Sequence, residues 1–139
     1  MTARIKIVNR QTADGDTGEI IQAVSGEYEY DNGSFSVSYD ENGELTGHTC
    51  VTFDGKTVKV KRENSDLNAV MSFAFGERLE CLYITPYGEI GLETVTKEIY
   101  SAVNENGGVL ELFYELYSGS QLQSYNEMRM DIQSEEKDV

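Results

Sequence analysis

The chain has 139 residues and a mass of 15.6 kDa, one domain's worth, and a fold of this size buries about two thirds of its unfolded surface. Hydrophobic residues at 39%, charged residues at 26%, and 9 Tyr, 5 Phe and 4 Met exclude a disordered, collagen-like or membrane class. A formal net charge of -14, from 11 Lys+Arg against 25 Asp+Glu, repels phosphate backbones and anionic headgroups, so nucleic acid is excluded as an expected partner.

The first ten residues carry Arg4, Lys6 and Arg10 and lack the apolar region of a secretion signal, so a cytoplasmic protein is expected. No run of about 18 apolar residues occurs, which rules out a helical membrane span. Cys50 and Cys81 read as reduced, structural thiols. Segments rich in Val, Ile, Tyr, Phe and Thr lie between regularly spaced turn signals, and a single Pro leaves the ladders nearly free of missing donors. Strands are predicted over 5–9, 19–30, 35–40, 46–53, 57–62, 68–73, 78–85, 89–100, 109–117 and 122–132.

Taken in chain order, Asp14-Gly15 marks the first turn. Asp14, Asp16 and Glu19 resemble the start of a calcium loop, but the twelfth position holds Ser25 where a bidentate Glu is needed, so a turn with solvated carboxylates is expected. A type I′ turn at Asn32-Gly33 sets Tyr30 opposite Phe35, Tyr28 opposite Val37 and Gly26 opposite Tyr39, giving one aromatic face. Asn42-Gly43 is the next turn. His48, the sole histidine, has no Ser or Cys nucleophile at a recognisable spacing and reads as a strand-edge residue.

A two-residue turn at Asp54-Gly55 would pair Val51 with Val58 and Thr49 with Val60, placing Cys50 and Lys59 on the outer face. Lys59 and Lys61 then point outward, whereas Arg62 shares the parity of Val58 and Val60 and points inward. There it either snorkels to the rim or provides the counter-charge for an anionic ligand. The stretch 67–74 fits alternation through Ala69, Met71 and Phe73 and also a short helix through Leu67, Val70, Met71 and Ala74. Gly76, Pro86-Tyr87-Gly88, Asn106-Gly107-Gly108 and Gly119 mark the remaining turns, and Gly26 and Gly91 read as bend points inside long strands. Glu135, Glu136 and Asp138 make 134–139 an expected frayed acidic tail.

So many antiparallel strands hide their edges by closing into a barrel or by curling into two packed sheets; closure into a single all-β, up-and-down barrel of about eight to ten strands over 1–139 is expected. Phe35-Ser36-Val37-Ser38-Tyr39-Asp40-Glu41, Val58-Lys59-Val60-Lys61-Arg62, Met71-Ser72-Phe73 with Gly76, and Tyr83-Ile84-Thr85-Pro86-Tyr87-Gly88 followed by Leu92, Thr94, Thr96 and Ile99 resemble the YwiB-like β-barrel family of bacterial proteins. Two departures loosen the turn assignment: Asn64 stands where that family has Gly, and Phe35 where it commonly has Tyr. The resemblance implies a calycin-like barrel of lipocalin or fatty-acid-binding-protein size and no activity.

A barrel of this size is either filled by side chains or holds one small ligand. The inward parity of Arg62, Tyr28, Tyr30, Tyr39, Thr94 and Thr96 singles these out as ligand contacts for a small, anionic, partly apolar molecule. The alternative is a filled barrel acting as a structural or interaction module, a monomer or a homodimer. No catalytic constellation is recognised: two Cys and one His cannot complete a zinc site, and Glu111 and Glu115 are a chance pair among 25 acids, so neither enzyme, metal nor cofactor is expected.

Overall fold

The computed structural model describes residues 1–41, 47–64 and 66–135. The Asn42-Gly43 turn and the acidic end at Glu136 and Asp138 lie outside them. Ten antiparallel strands run β1 Thr2–Ala13, β2 Asp16–Asp31, β3 Ser34–Glu41, β4 Gly47–Phe53, β5 Thr57–Glu63, β6 Asn68–Ala74, β7 Arg78–Thr85, β8 Gly88–Asn104, β9 Gly107–Ser118 and β10 Gln121–Ser134. Each pairs with its neighbour in sequence, and β10 returns to β1 to close an up-and-down barrel. Closure satisfies the backbone groups that an open sheet would leave along its two outer strands. Among the described residues no helix is long and apolar enough to cross a membrane.

Turn chemistry sets the register. Asn32 and Gly33 both take positive φ, 47° and 94°, the mirror-image turn whose twist matches that of the flanking strands. Tyr30 therefore faces Phe35, Tyr28 faces Val37 and Gly26 faces Tyr39, as the arithmetic requires. The same arithmetic is corrected at Asp54-Gly55. The observed pairs are Phe53 with Val58, Val51 with Val60 and Thr49 with Arg62, because the loop spans four residues. The Asp54 carboxylate accepts from the amides of Lys56 and Thr57 at 2.9 and 2.6 Å and stabilises the wider turn. The slip is two residues, and an even slip preserves the face of every side chain.

Residues 68–74 form a strand, with Ala69 and Phe73 buried, so the alternating pattern prevails over the helical one. Gly26 is a close-approach position: a Cβ there would stand 2.2 Å from the Ser38 carbonyl oxygen. Gly91 has open space around it, and the long strands bend instead at register shifts, between Thr96 and Glu98 and between Leu122 and Ser124. Strands β6 and β7 pair only through Asn68–Ile84, Ala69–Tyr83 and Val70–Leu82 among the described residues. Beyond that seam the Thr94 hydroxyl, from β8, donates to the Ser72 carbonyl at 2.7 Å.

Candidate functional site

The two ends of the barrel differ. At the end carrying the β2–β3, β4–β5 and β8–β9 turns, Ile5, Tyr28, Phe35, Val37, Val58, Leu110, Leu112, Met130 and Ile132 fill the interior. Tyr28 and Phe35 pack with ring centres 6.2 Å apart, and Phe35 and Phe53 5.8 Å apart. The opposite end is open. There a cavity of about 350 Å³ is floored by Val51, Val60, Phe73 and Met128 and walled by Tyr39, Tyr83, Tyr114, Thr49, Glu41 and Arg62.

Alternation along each strand carries these groups inward. Tyr39 and Glu41 continue the Phe35, Val37 series of β3, and Arg62 continues the Val58, Val60 series of β5. Thr49 is directly opposite both Tyr39 and Arg62, so the three meet on one inner face. The Glu41 side chain is 5% exposed, and a carboxylate that deep needs partners. It accepts from the Thr49 hydroxyl at 2.7 Å and from Arg62 Nη2 at 2.8 Å. Arg62, 36% exposed, keeps its other N–H groups free of hydrogen bonds to the described residues.

Three phenols converge on this pair. Burial, with the Glu41 charge adding to it, pushes the Tyr39 hydroxyl up to about 12. Burial likewise raises Tyr83, and raises Tyr114 well above the ordinary tyrosine range. All three are therefore protonated donors at neutral pH. Tyr83 directs its hydroxyl to the weak acceptor Met71 Sδ at 3.2 Å, while the Tyr114 hydroxyl has no hydrogen-bond partner among the described residues. Tyr114 packs on Phe73 with ring centres 4.6 Å apart, which anchors it in the wall.

The six residues singled out from the sequence separate in space. Arg62 and Tyr39 line the cavity together. Tyr28 is fully buried at the filled end, its hydroxyl bonded to the Asn104 carbonyl oxygen, and Tyr30 sits half-buried beside it. Thr94 and Thr96 are buried and lie opposite Leu116 and Tyr114, Thr94 bonded at the β6–β7 seam and Thr96 with no partner for its hydroxyl among the described residues. Parity assigns a face but not a height along the barrel axis. Ile90, on the strand that carries Thr94 and Thr96, is 50% exposed.

Sequence reasoning missed Glu41, Thr49, Tyr83 and Tyr114. The signal for Glu41 was the inward series Phe35, Val37, Tyr39 that it extends, and for Tyr114 the series Leu110, Leu112. His48 points outward, its Nδ1 2.9 Å from Asp40 Oδ1, away from the cavity. Cys50 and Cys81 are free thiols, one facing outward opposite Lys61 and one buried.

A family model described as a domain of unknown function, DUF1934, matches residues 5–130. No curated protein matches the chain. Among solved structures, the crystal structure of the ywiB protein from Bacillus subtilis superposes with a TM-score of 0.85 at 22% identity, covering 97% of this chain and 92% of that one. That likeness extends to the fold, and it agrees with the family resemblance read from the residues.

Proposed function

The chain belongs to the DUF1934 domain family, and from the cavity at the open end of its barrel we propose that it is a non-catalytic binder of a small, partly apolar molecule carrying a carboxylate or phosphate. The observation that carries this reading is the excess of donors in the cavity. Glu41 is already satisfied by Thr49 and Arg62, which leaves Arg62 N–H groups and the hydroxyls of Tyr83 and Tyr114 without a strong acceptor. An oxyanion matches that set, and the apolar remainder of the ligand has Val51, Val60, Phe73 and Met128 to cover it. A volume of about 350 Å³ suits a small molecule. The reading assigns no chemistry to His48, and it fits a cytoplasmic protein whose two cysteines remain thiols.

Native mass spectrometry of protein purified from its own host, followed by calorimetric titration with alkyl and aryl carboxylates and alkyl phosphates, tests this. Binding of such compounds is expected, and it should be lost in the Arg62→Ala, Glu41→Gln double variant, in which no carboxylate is stranded. Equal affinity in wild type and double variant would falsify the reading. The second reading, an interaction module, draws on a different observation, the apolar patch on the outside of β6 and β7.

A further inference from the structure

On the outer surface Val70, Leu82 and Ile84 stand 40%, 43% and 41% exposed. Val70 and Leu82 face each other across the β6–β7 ladder, and Ile84 lies beside them opposite Asn68. The next position in the Leu82 row, on β8, is Gly91, which has no side chain and leaves the patch flat. The patch sits over the seam where the two strands share only a short ladder.

Charge is arranged asymmetrically around it. On the β5 side stand Lys59 and Lys61, opposite Ser72 and Val70. On the other side stand Glu80 and Glu89, opposite Glu93 and Ile84. Among the described residues Lys59, Glu80 and Glu89 take part in no ion pair, and Lys61 reaches only the exposed Glu63. In a chain of net charge -14 these lysines mark a place where an acidic partner meets attraction, and the glutamates flanking the same patch make this chain such a partner.

We propose that this face is a homodimer interface, with a two-fold axis running along the β6–β7 junction. That operation exchanges β6 with β7 and β5 with β8. It lays Val70 of one copy on Leu82 of the other, sets Lys59 against the Glu80–Glu93 level of the second copy and leaves Lys61 over the row of Gly91. An axis at right angles to the strands instead stacks lysine on lysine, so charge selects the first arrangement. Apolar contact at the centre with complementary charges at the rim is the anatomy of a specific interface.

Sedimentation velocity of the full chain through a dilution series tests the assignment. Wild type is expected to pass from dimer to monomer on dilution. Leu82→Asp should raise the dissociation constant by about thirtyfold or more while leaving the far-ultraviolet spectrum unchanged. Lys59→Glu should weaken the dimer, and adding Glu80→Lys, at the same height across the axis, should restore association. A monomer at every concentration, a dimer indifferent to Leu82→Asp, or capture of an unrelated protein by this face would overturn the proposal. The result is separable from the ligand question, since Leu82 and Lys59 point away from the cavity.

Discussion

Truncating Arg62 to alanine strands the Glu41 carboxylate with Thr49 as its sole bonded partner, so Arg62→Ala is expected to destabilise the fold by about 1–3 kcal/mol. Adding Glu41→Gln should recover part of that loss, read as a positive coupling in urea denaturation of the double-mutant cycle. The opposite sign is expected at Thr96. Its hydroxyl is buried with no partner among the described residues, so Thr96→Val should be neutral or stabilising by about 1 kcal/mol in the same assay. Strong destabilisation there would reveal an ordered water or a hidden bond. Tyrosine protonation adds a pH dependence. Tyr28 and Tyr39 ionise near 12 in the folded chain against about 10 unfolded, so the unfolded state loses those protons first. Their contribution is fully present below pH 10 and falls between about pH 10 and 12. Tyrosinate absorbance should accordingly rise in two steps, and Tyr39→Phe should flatten the alkaline loss of stability.

At the level of strands, the two interior glycines predict contrasting mutants. Gly26→Ala drives a Cβ to 2.2 Å from the Ser38 carbonyl and should cost about 2 kcal/mol or more. Gly91→Ala meets nothing within 4 Å and should stabilise β8 by about 0.5–1 kcal/mol. Thermal melts of the two variants decide the matter. This contrast also marks how far the sequence carried. Side-chain period and turn residues were enough to place ten strands and the inward face of Arg62, because both are properties of the local backbone. The four-residue loop after Phe53 was hidden, since Asp54-Gly55 is equally at home in a tighter turn and only the Asp54 carboxylate bonds distinguish them. The Glu41–Arg62 pair was hidden for a different reason. It joins strands that are not adjacent, β3 and β5, and needs the curvature of the closed sheet to bring 41 and 62 within 2.8 Å.

For the molecule as a whole, a net charge of -14 opposes the approach of any anionic ligand to the cavity mouth. Stopped-flow association rates for the carboxylates and phosphates named above should therefore rise with added salt, the reverse of a cationic binding site. A rate that falls with salt would mean that the local charge of Arg62 dominates the encounter. The barrel is also divided along its axis, filled at one end and hollow at the other, so the core of the filled end contributes stability without lining the cavity. Mutations among Tyr28, Phe35 and Leu112 should lower the melting temperature with ligand affinity intact in whatever fraction remains folded.

The pairing of β1 with β10, from Ala3–Ser134 to Thr12–Tyr125, bears on how the protein is made. Strand β1 waits for β10 before its second flank is covered, and until then a growing chain exposes Ile5 and Ile7 beside an unsatisfied backbone edge. A nascent chain halted before β10 would therefore remain adhesive, and only the synthesis of β10 lets the barrel become self-contained.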